Sequence, residues 1–422
     1  MDISSILRGI ECTCGKTHTC DIKHVFIENN ATSRLKEICD KKDNILIVAD
    51  ENTFLAAGKK VEKSLCEHNI KKVIFSGNTL LIPNEEAINK VRDNINNVNL
   101  IIGIGSGVIQ DLCKYVSYFA KIPYIVVATA PSMDGYASDG AAMILNGMKE
   151  TVHAWLPRAI IADTSVLKEA PLEMIKAGYG DIIGKFSALC DWKLSTAVNG
   201  EYFCEYIYNT TYKMIENTLN MAEGLLKRNE ESIKSLMEAL VVVGIMMSFA
   251  GSSRPASGSE HHLSHFFEIV GIVNNKPYFP HGIDVAYSTV ITARVREKIL
   301  RLDFPDKIFR ISKKEYAEKM SEIYSSVADG CIALQDKVGN YDADRLSVYK
   351  EKEQEIKKIL SEMPSSSDIK EMLSVAKMDI AEFYDMYGIS KINDAISYAK
   401  DLKDRYTVLW LYYDLFGIWE NE

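Results

Sequence analysis

The chain has 422 residues, of which 47% are hydrophobic and 25% are charged, and its formal net charge is -9. This length is too great for one ordinary hydrophobic core, so we expect two domains. The negative charge argues against nucleic acid or an anionic membrane as a partner. The longest apolar run, at residues 239–250, is shorter than the roughly 20 residues of a membrane span, and no secretory signal pattern is visible.

The amino-terminal segment carries a cluster of potential metal ligands: Cys12, Cys14, His18 and Cys20. Their spacing matches no closed zinc module, because the ligand pairs of such modules normally come from separated segments. The chain has nine scattered cysteines, a number and pattern typical of reduced thiols in a cytoplasmic protein. We therefore interpret the segment as a loop or hairpin with reduced thiols, with structural zinc as the alternative.

Short Val/Ile-rich runs alternate with helical patterns in the first part of the chain. Strands are predicted at residues 44–49, 72–75, 100–103 and 124–128, and helices at residues 56–68 and 85–94. Buried strands that alternate with helices indicate a parallel sheet of βαβ units. From about residue 164 the pattern becomes helical, with Met and Leu at three-to-four spacing in residues 219–247. The sequence thus predicts an α/β domain with a parallel Rossmann-like sheet, residues 1–163, followed by an all-α domain, residues 164–422.

Two loops at predicted strand ends are candidates for nucleotide binding. The run Gly103-Ile-Gly-Ser-Gly107 follows one strand and precedes a helix that begins near Ile109, so its backbone amides suit a pyrophosphate. It is not the dinucleotide fingerprint, and a plain tight turn is the alternative. The run Thr129-Ala-Pro-Ser132 follows the next strand, at the carboxyl edge where open α/β sheets bind ligands. Together the two loops favour a nucleotide.

Two acidic residues near these loops have both a functional and a structural interpretation. Asp50 ends the first strong strand, where a carboxylate could bind a ribose hydroxyl and disfavour the 2′-phosphate of NADP. Its alternative is a helix N-cap. Asp134 lies in the Gly/Ser-rich loop 132–138, where a carboxylate suits a sugar or polyol hydroxyl. Its alternative is an Asx-turn.

Four of the eight histidines lie between residues 261 and 281. The i, i+4 spacing of His261 and His265 places both rings on one helix face, and His281 lies in a Pro-His-Gly turn. Two imidazoles and one carboxylate form the usual ligand set of a divalent metal that keeps an open, catalytic position. Asp181, between glycines, could supply the carboxylate, and a helix cap is its alternative. His262 lies about 100° around the helix and is interpreted as a bystander.

Taken together, these motifs resemble the iron-dependent alcohol dehydrogenase and dehydroquinate synthase superfamily, and more closely the bacterial branch of the sn-glycerol-1-phosphate dehydrogenases. The resemblance covers most of residues 20–290. It rests on the motifs at residues 105–111, 129–138, 180–185, 254–261 and 281–282. One departure is Ser106, which interrupts what is commonly a glycine triplet.

The resemblance implies that Asp181, His261 and His281 bind the metal. It implies that Asp134 and His265 face the substrate, that Asp181 also contacts it, and that the active site lies in the interdomain cleft. The residues that it places at NAD(H), with NADP(H) as a second possibility, are Gly105, Ser106, Gly107, Val108, Ile109, Thr129, Ala130, Pro131, Ser132 and Ser138, to which the strand-end argument adds Asp50.

The function that follows from the resemblance is metal-dependent interconversion of dihydroxyacetone phosphate and sn-glycerol 1-phosphate. It would be carried out by a cytoplasmic homodimer that uses zinc or nickel, with iron as an alternative. Arg254 or the turn 257–259 is the expected donor to the substrate phosphate. Three rivals stay open: a glycerol or polyol dehydrogenase, a dehydroquinate-synthase-like lyase that uses NAD transiently, and a metal-binding protein without catalysis.

Overall fold

The computed structural model describes residues 2–145 and 148–420. Its strands fall in the first part of the chain, as the alternating pattern predicts. They are β1 (Ile10–Glu11), β2 (Thr17–His18), β3 (His24–Glu28), β4 (Asn44–Asp50), β5 (Asn69–Phe75), β6 (Leu100–Gly105), β7 (Tyr124–Ala128), β8 (Gly140–Leu145), β9 (Met148–His153) and β10 (Ala159–Asp163).

Six of these strands form one parallel sheet in the order β3-β10-β7-β6-β4-β5. The four predicted strands correspond to β4, β5, β6 and β7, so the predicted parallel α/β sheet is confirmed. Strands β3 and β10 extend it at one edge and were not predicted. The remaining strands form two antiparallel hairpins, β1 with β2 and β8 with β9.

The centre of the sheet is a continuous aliphatic core. Every residue of β6, β7 and β10 is buried, and the core includes Ile47, Ile102, Val127 and Ile161 from four neighbouring strands. Branched aliphatic side chains suit a strand that is covered on both faces. This burial explains why these strands read as unbroken hydrophobic runs in the sequence.

In the part of the chain that contains the sheet, α1 precedes β1 and the other helices lie between strands in the chain order. They are α1 (Ile3–Leu7), α2 (Leu35–Ile38), α3 (Glu51–Thr53), α4 (Lys59–Ser64), α5 (Glu85–Arg92) and α6 (Gly107–Ala120). A π-helical turn at Phe54–Gly58 joins α3 to α4, so the predicted helix at 56–68 begins earlier and ends earlier than expected.

The helical part begins directly after β10, and the predicted order of an α/β region and then a helical region is confirmed. Its helices are α7 (Thr164–Leu167), α8 (Leu172–Asn199), α9 (Glu205–Leu226), α10 (Glu230–Ala250), α11 (Ser259–Val273), α12 (His281–Arg301), α13 (Lys313–Tyr324), α14 (Ala328–Val338), α15 (Leu346–Glu351), α16 (Glu353–Ser361), α17 (Ser366–Val375), α18 (Ile380–Tyr398) and α19 (Val408–Phe416).

The chain forms two compact units. One comprises Met1–Ile182 and Glu216–Ser252 and contains the sheet, and the other comprises Ile183–Ile215 and Ser253–Glu422 and is helical. This division differs from the predicted boundary after residue 163, because α7, α10 and parts of α8 and α9 group with the sheet.

Within the described ranges, one helix, α10, is long and apolar enough by length and composition to cross a membrane. A buried core helix satisfies the same criterion. Here 72% of its most apolar window is buried inside the protein.

Candidate active site

The two predicted nucleotide loops are neighbours at the carboxyl edge of the sheet. Gly105 at the end of β6 pairs with Ala128 at the end of β7, and the Thr129 amide donates to the Gly105 carbonyl at 3.3 Å. A Cβ atom on Gly105 would lie 2.6 Å from that of Ile109, so only glycine lets α6 begin this close to the strand. The first turn of α6 therefore presents its amides beside the second loop, an arrangement that suits a pyrophosphate.

Asp50 is the N-cap of α3. Its carboxylate accepts a hydrogen bond from the Thr53 amide at 2.9 Å, and the Asp50 amide donates to the Thr53 hydroxyl at 3.1 Å. The capping interpretation of Asp50 is therefore confirmed. Its contact with a ribose stays a prediction, which a cap does not oppose because a carboxylate accepts several hydrogen bonds.

A buried lysine that the sequence reasoning missed holds the loop after β7. The ammonium of Lys114 on α6 donates to the carbonyls of Gly140 at 2.7 Å and Gly135 at 3.0 Å, and to the Ser138 hydroxyl at 3.3 Å. Burial lowers the pKa of Lys114, and the charge of Asp111 opposes that shift. The Ser138 hydroxyl, a predicted NAD contact, is thus part of the hydrogen bonding that shapes this loop.

The same loop is fixed against α8, beside Asp181. A Cβ atom on Gly178 would lie 1.8 Å from the Pro131 carbonyl oxygen, so this close approach requires glycine. The Asp134 amide donates to the Asp181 carboxylate at 2.9 Å. Asp181 is fully buried in the interior of α8, so the helix-cap alternative for it is wrong.

Asp134 does not behave as a simple turn residue. It precedes the 3-10 turn Gly135–Ala137, and in the described structure its side chain makes no capping hydrogen bond to that turn. The Asx-turn alternative therefore has no support there. Its amide instead orients Asp181, which brings two of the predicted site residues together.

The three predicted histidines come together at one place. His261 and His265 lie on α11, and His281 is the first residue of α12. The ring centroid of His281 lies 5.0 Å from that of His261 and 5.6 Å from that of His265. One ligand atom from each of Asp181, His261 and His281 lies within 4.8 Å of the others. The structure thus assembles the predicted ligand set, with His265 beside it.

The orientation of His261 is set by its neighbour Glu260, which the sequence reasoning missed. The Glu260 carboxyl lies 2.6 Å from His261 Nδ1 and accepts the Gly258 amide at 2.9 Å. A metal-ligating histidine usually donates its other ring nitrogen to such a carboxylate. Burial, with the charge of Asp191, raises the pKa of Glu260 to about 8, and a cation bound at His261 would favour the ionised carboxylate. Nε2 of His261 would then be the atom available to a metal.

The start of α11 is held by a second buried carboxylate, Asp191 on α8. Its two oxygens accept the amides of Ser259 at 2.6 Å and Val408 at 2.7 Å. Burial raises the pKa of Asp191, which these hydrogen bonds oppose. Because the N-cap residue Gly258 has no side chain, Asp191 satisfies the helix end from another helix. The sequence offered a signal for Glu260, which is adjacent to His261, but none for Asp191, which lies far away in the chain.

His262 is separated in role from the other histidines. It is completely buried, and within the described residues neither ring nitrogen has a hydrogen-bond partner. Burial lowers its pKa well below the ordinary value, so the ring is neutral. His262 is not part of the ligand cluster, as expected for a bystander.

The groups expected to hold a substrate phosphate are engaged within the protein. The Arg254 guanidinium donates to Glu201 at 2.7 Å and to the Tyr406 carbonyl at 2.8 Å. The amides of Gly258 and Ser259 donate to Glu260 and Asp191. These contacts with internal acceptors do not support Arg254 or the two amides as the phosphate donors, and which groups bind the phosphate stays a prediction.

The donor set at Asp181, His261 and His281 fits a divalent metal. Burial, together with the positive charge of Lys185, holds the pKa of His261 well below its ordinary value. The ring is then neutral, as a ligand must be. Three protein ligands leave a position open, as in catalytic rather than structural sites.

Residues 26–171 match the family described as iron-containing alcohol dehydrogenase. Among solved structures, the chain is similar to an iron-containing alcohol dehydrogenase of Thermococcus thioreducens, with a TM-score of 0.56 and 16% identity over 93% of this chain and 98% of that one. It is also similar to a glycerol dehydrogenase of Schizosaccharomyces pombe, with a TM-score of 0.53 and 16% identity over 88% and 92%. At these identities the likeness shows a shared fold.

Curated relatives are more similar in sequence. The chain is 30% identical to a glycerol-1-phosphate dehydrogenase (NAD(P)+) of Bacillus licheniformis over 94% of this chain and 90% of the relative. It is 34% identical to the protein of that name from Geobacillus thermodenitrificans, over 68% and 73%. With its sheet, loops and ligand cluster, the chain belongs to the glycerol-1-phosphate dehydrogenase family, within the iron-containing alcohol dehydrogenase superfamily.

Proposed function

We propose that this chain catalyses the reversible, NAD(P)-linked reduction of dihydroxyacetone phosphate to sn-glycerol 1-phosphate. The observation that carries the proposal is the cluster of Asp181, His261 and His281, whose ligand atoms lie within 4.8 Å of one another. The names of the curated relatives support the substrate and the cofactor. The product class would suit the synthesis of phospholipids.

Asp181, His261 and His281 would hold the metal, and zinc or nickel is the proposed ion, with iron(II) also compatible with this ligand set. The chemistry that a bound divalent ion supplies is Lewis-acid polarisation of the substrate oxygen at C2 as hydride arrives. The protein prepares the ligands for it. The Asp134 amide orients Asp181, and Glu260 orients His261.

The carboxyl edge of the sheet would hold the dinucleotide. The loops at residues 105–109 and 129–132 present backbone amides and small side chains where the pyrophosphate would lie, and α6 adds the favourable end of its dipole. Ser138 would contribute through the loop that Lys114 holds in place. Asp50 would face the ribose and favour NAD over NADP by repelling a 2′-phosphate.

His265 and Asp134 would act on the substrate. The ring of His265 lies 6.1 Å from that of His261 and 5.6 Å from that of His281. With substrate bound at this site, His265 would lie near the reacting oxygen and would pass a proton to it. The Asp134 carboxylate would accept a hydrogen bond from a substrate hydroxyl. We also propose that the enzyme works as a cytoplasmic homodimer, as the family resemblance implies.

The experiment that tests the proposal follows NADH absorbance with dihydroxyacetone phosphate. The protein is first stripped of metal and then reloaded with zinc or with nickel. We expect turnover that depends on the metal and is absent with unphosphorylated dihydroxyacetone. A stereospecific glycerol-3-phosphate dehydrogenase, which does not oxidise sn-glycerol 1-phosphate, then checks the chirality of the product.

Two variants sharpen this assay. Asp181→Asn keeps the shape of the side chain but removes the anionic ligand, and it should abolish turnover. His153→Gln is the control, since His153 is largely exposed and outside the histidine cluster. Equal turnover of the free ketone would instead indicate a polyol dehydrogenase. No NADH loss with either ketone, despite bound metal, would contradict the proposal and favour a lyase.

A further inference from the structure

The amino-terminal cysteines belong to a second cluster of ligand atoms, apart from the histidines of the active site. Strands β1 and β2 form a short hairpin in which Ile10 pairs with His18. In its turn the Cys12 amide donates to the Lys16 carbonyl at 3.1 Å, and the Gly15 amide donates to the Cys12 carbonyl at 3.0 Å. Gly15 has a φ of 85°, which lets the chain reverse between Cys14 and His18. The hairpin therefore gathers three potential ligands on one turn.

The fourth ligand comes from a distant part of the sequence. Cys204 immediately precedes α9, and one ligand atom from each of Cys12, Cys14, His18 and Cys204 lies within 4.8 Å of the others. Ligands of a tetrahedral zinc site lie about 3.6 Å apart when zinc–sulfur and zinc–nitrogen distances are near 2.3 and 2.0 Å. Cys14 Sγ and His18 Nε2 are separated by 3.4 Å. The ligand atoms therefore need only small adjustments of these separations to surround one ion.

The histidine of this cluster is held in the orientation of a metal ligand. His18 is buried, and its Nδ1 lies 3.2 Å from the Phe249 carbonyl oxygen. A carbonyl can only accept, so Nδ1 carries the proton and the lone pair is on Nε2, the atom that faces Cys14. Metal-bound histidines commonly donate their other ring nitrogen to a backbone carbonyl in this way. The ring also stacks on Phe249, with centroids 5.2 Å apart.

We propose that Cys12, Cys14, His18 and Cys204 bind one structural zinc ion. Three thiolates and one imidazole form a closed, four-coordinate set, and thiolate ligands favour zinc over magnesium, calcium or manganese. Binding releases three thiol protons, so the site carries three thiolates, one neutral imidazole and Zn²⁺, with a net charge of -1. With no open position, the ion stabilises the hairpin and takes no part in turnover.

Other cysteines of the chain lie outside this cluster of ligand atoms. Cys20 follows the hairpin but is outside the cluster, and burial raises the pKa of its thiol to about 11. Cys113 and Cys190 are buried too, each in a helix interior. Cys66 is exposed and outside the cluster, so it supplies a matched control.

Cobalt substitution distinguishes this site from the active site in the intact protein. Cobalt bound by thiolates gives intense sulfur-to-metal charge-transfer absorption in the near ultraviolet, whereas a carboxylate and two imidazoles give none. We expect cobalt-loaded wild-type protein to show these bands, and both Cys204→Ser and Cys14→Ser to lose them. Cys66→Ser should keep them.

Metal content is the second measurement, and it holds even where a variant folds poorly. In zinc-loaded wild-type protein, a thiol-specific mercurial should release one equivalent of zinc per chain while the active-site metal stays bound. Absence of thiolate bands in the wild-type protein, or no zinc released by the mercurial, would overturn the proposal. Unchanged bands in Cys204→Ser would also overturn the proposal, because they would show that the hairpin residues bind the metal without Cys204. Loss of dehydrogenase activity plays no part in either readout.

Discussion

Replacing Glu260 by Gln tests whether this carboxylate orients His261, a proposed metal ligand. One carboxyl oxygen of Glu260 lies 2.6 Å from His261 Nδ1 and 2.9 Å from the Gly258 amide nitrogen. The amide oxygen of Gln can accept both hydrogen bonds, so the fold should persist. What is lost is the negative charge that raises the basicity of the His261 ligand atom.

The expected size follows from outer-shell partners of metal-bound histidines, whose removal costs about 10- to 100-fold in metal affinity. That range is roughly 1.4 to 2.7 kcal/mol. Glu260→Ala should instead destabilise the protein as well, by about 1 to 3 kcal/mol for each buried donor left without a partner. The two variants thus separate positioning from folding.

The assay is competition for nickel or zinc with a chromophoric chelator, together with thermal unfolding of the metal-free protein. Glu260→Gln should lower metal affinity while the melting temperature of the metal-free protein changes little. At saturating metal, its KM for dihydroxyacetone phosphate should stay close to the wild-type value. Glu86→Gln, an exposed change on α5, is the control. Wild-type metal affinity in Glu260→Gln would refute the reasoning that this carboxylate orients His261.

Four further predictions rest on single contacts. Asp50→Asn keeps a capping side chain but removes the negative charge. The ratio of kcat/KM for NADPH to kcat/KM for NADH should therefore rise by roughly 5- to 30-fold in the ketone-reduction assay. An unchanged ratio would show that Asp50 does not contact the ribose. Gly178→Ala places a methyl group against the Pro131 carbonyl and should lower the free energy of unfolding, measured in urea, by about 1 to 3 kcal/mol. An unchanged free energy of unfolding would show that the loop moves away from the methyl group at no cost. Lys114→Met removes the ammonium that donates to the Gly135 and Gly140 carbonyls and leaves only weaker contacts from Ser138, so hydrogen exchange in residues 135–140 should accelerate. Unchanged protection of these amides would contradict the anchoring role. The pKa of Asp163 is lowered because hydrogen bonds from Ser165 and Thr32 and the charge of Lys60 outweigh the effect of burial. The difference in unfolding free energy between the wild-type protein and Asp163→Asn should therefore be largest at neutral pH and shrink below about pH 4. A difference that does not change with pH would contradict this.

The sequence predicted the fold where its signal was local. Strands β4, β6 and β7 are rich in buried Ile, Leu and Val, and their alternation with helices leaves few topologies other than a parallel sheet. Strand β3 was missed because only one of its five residues is buried. Strand β10 is fully buried, but it is a short run that carries no helical or turn pattern of its own.

The candidate site was predictable to the extent that its residues are close in sequence. The spacing of His261 and His265 alone predicts that they share a helix face. Asp191 and Lys114 instead form hydrogen bonds with residues that are distant in the sequence. A lysine within an amphipathic helix usually indicates a solvated position, since isolated charges are rarely buried. Cys204 shows the same limit, because no spacing rule links it to Cys12 and Cys14, and only the folded chain brings the fourth ligand to the hairpin.

The proposed ligands of the active-site metal differ in how freely their backbone can adjust. Asp181 lies inside a helix of 28 residues, where hydrogen bonds on both sides fix its Cα position. His281 opens its helix directly after Pro280, so its amide is not yet part of the intrahelical ladder. Ions of different radius would therefore be accommodated by displacement of His281 and not of Asp181. A ligand set with one fixed and one adjustable member gives a physical reason why zinc, nickel and iron(II) could serve in the same site.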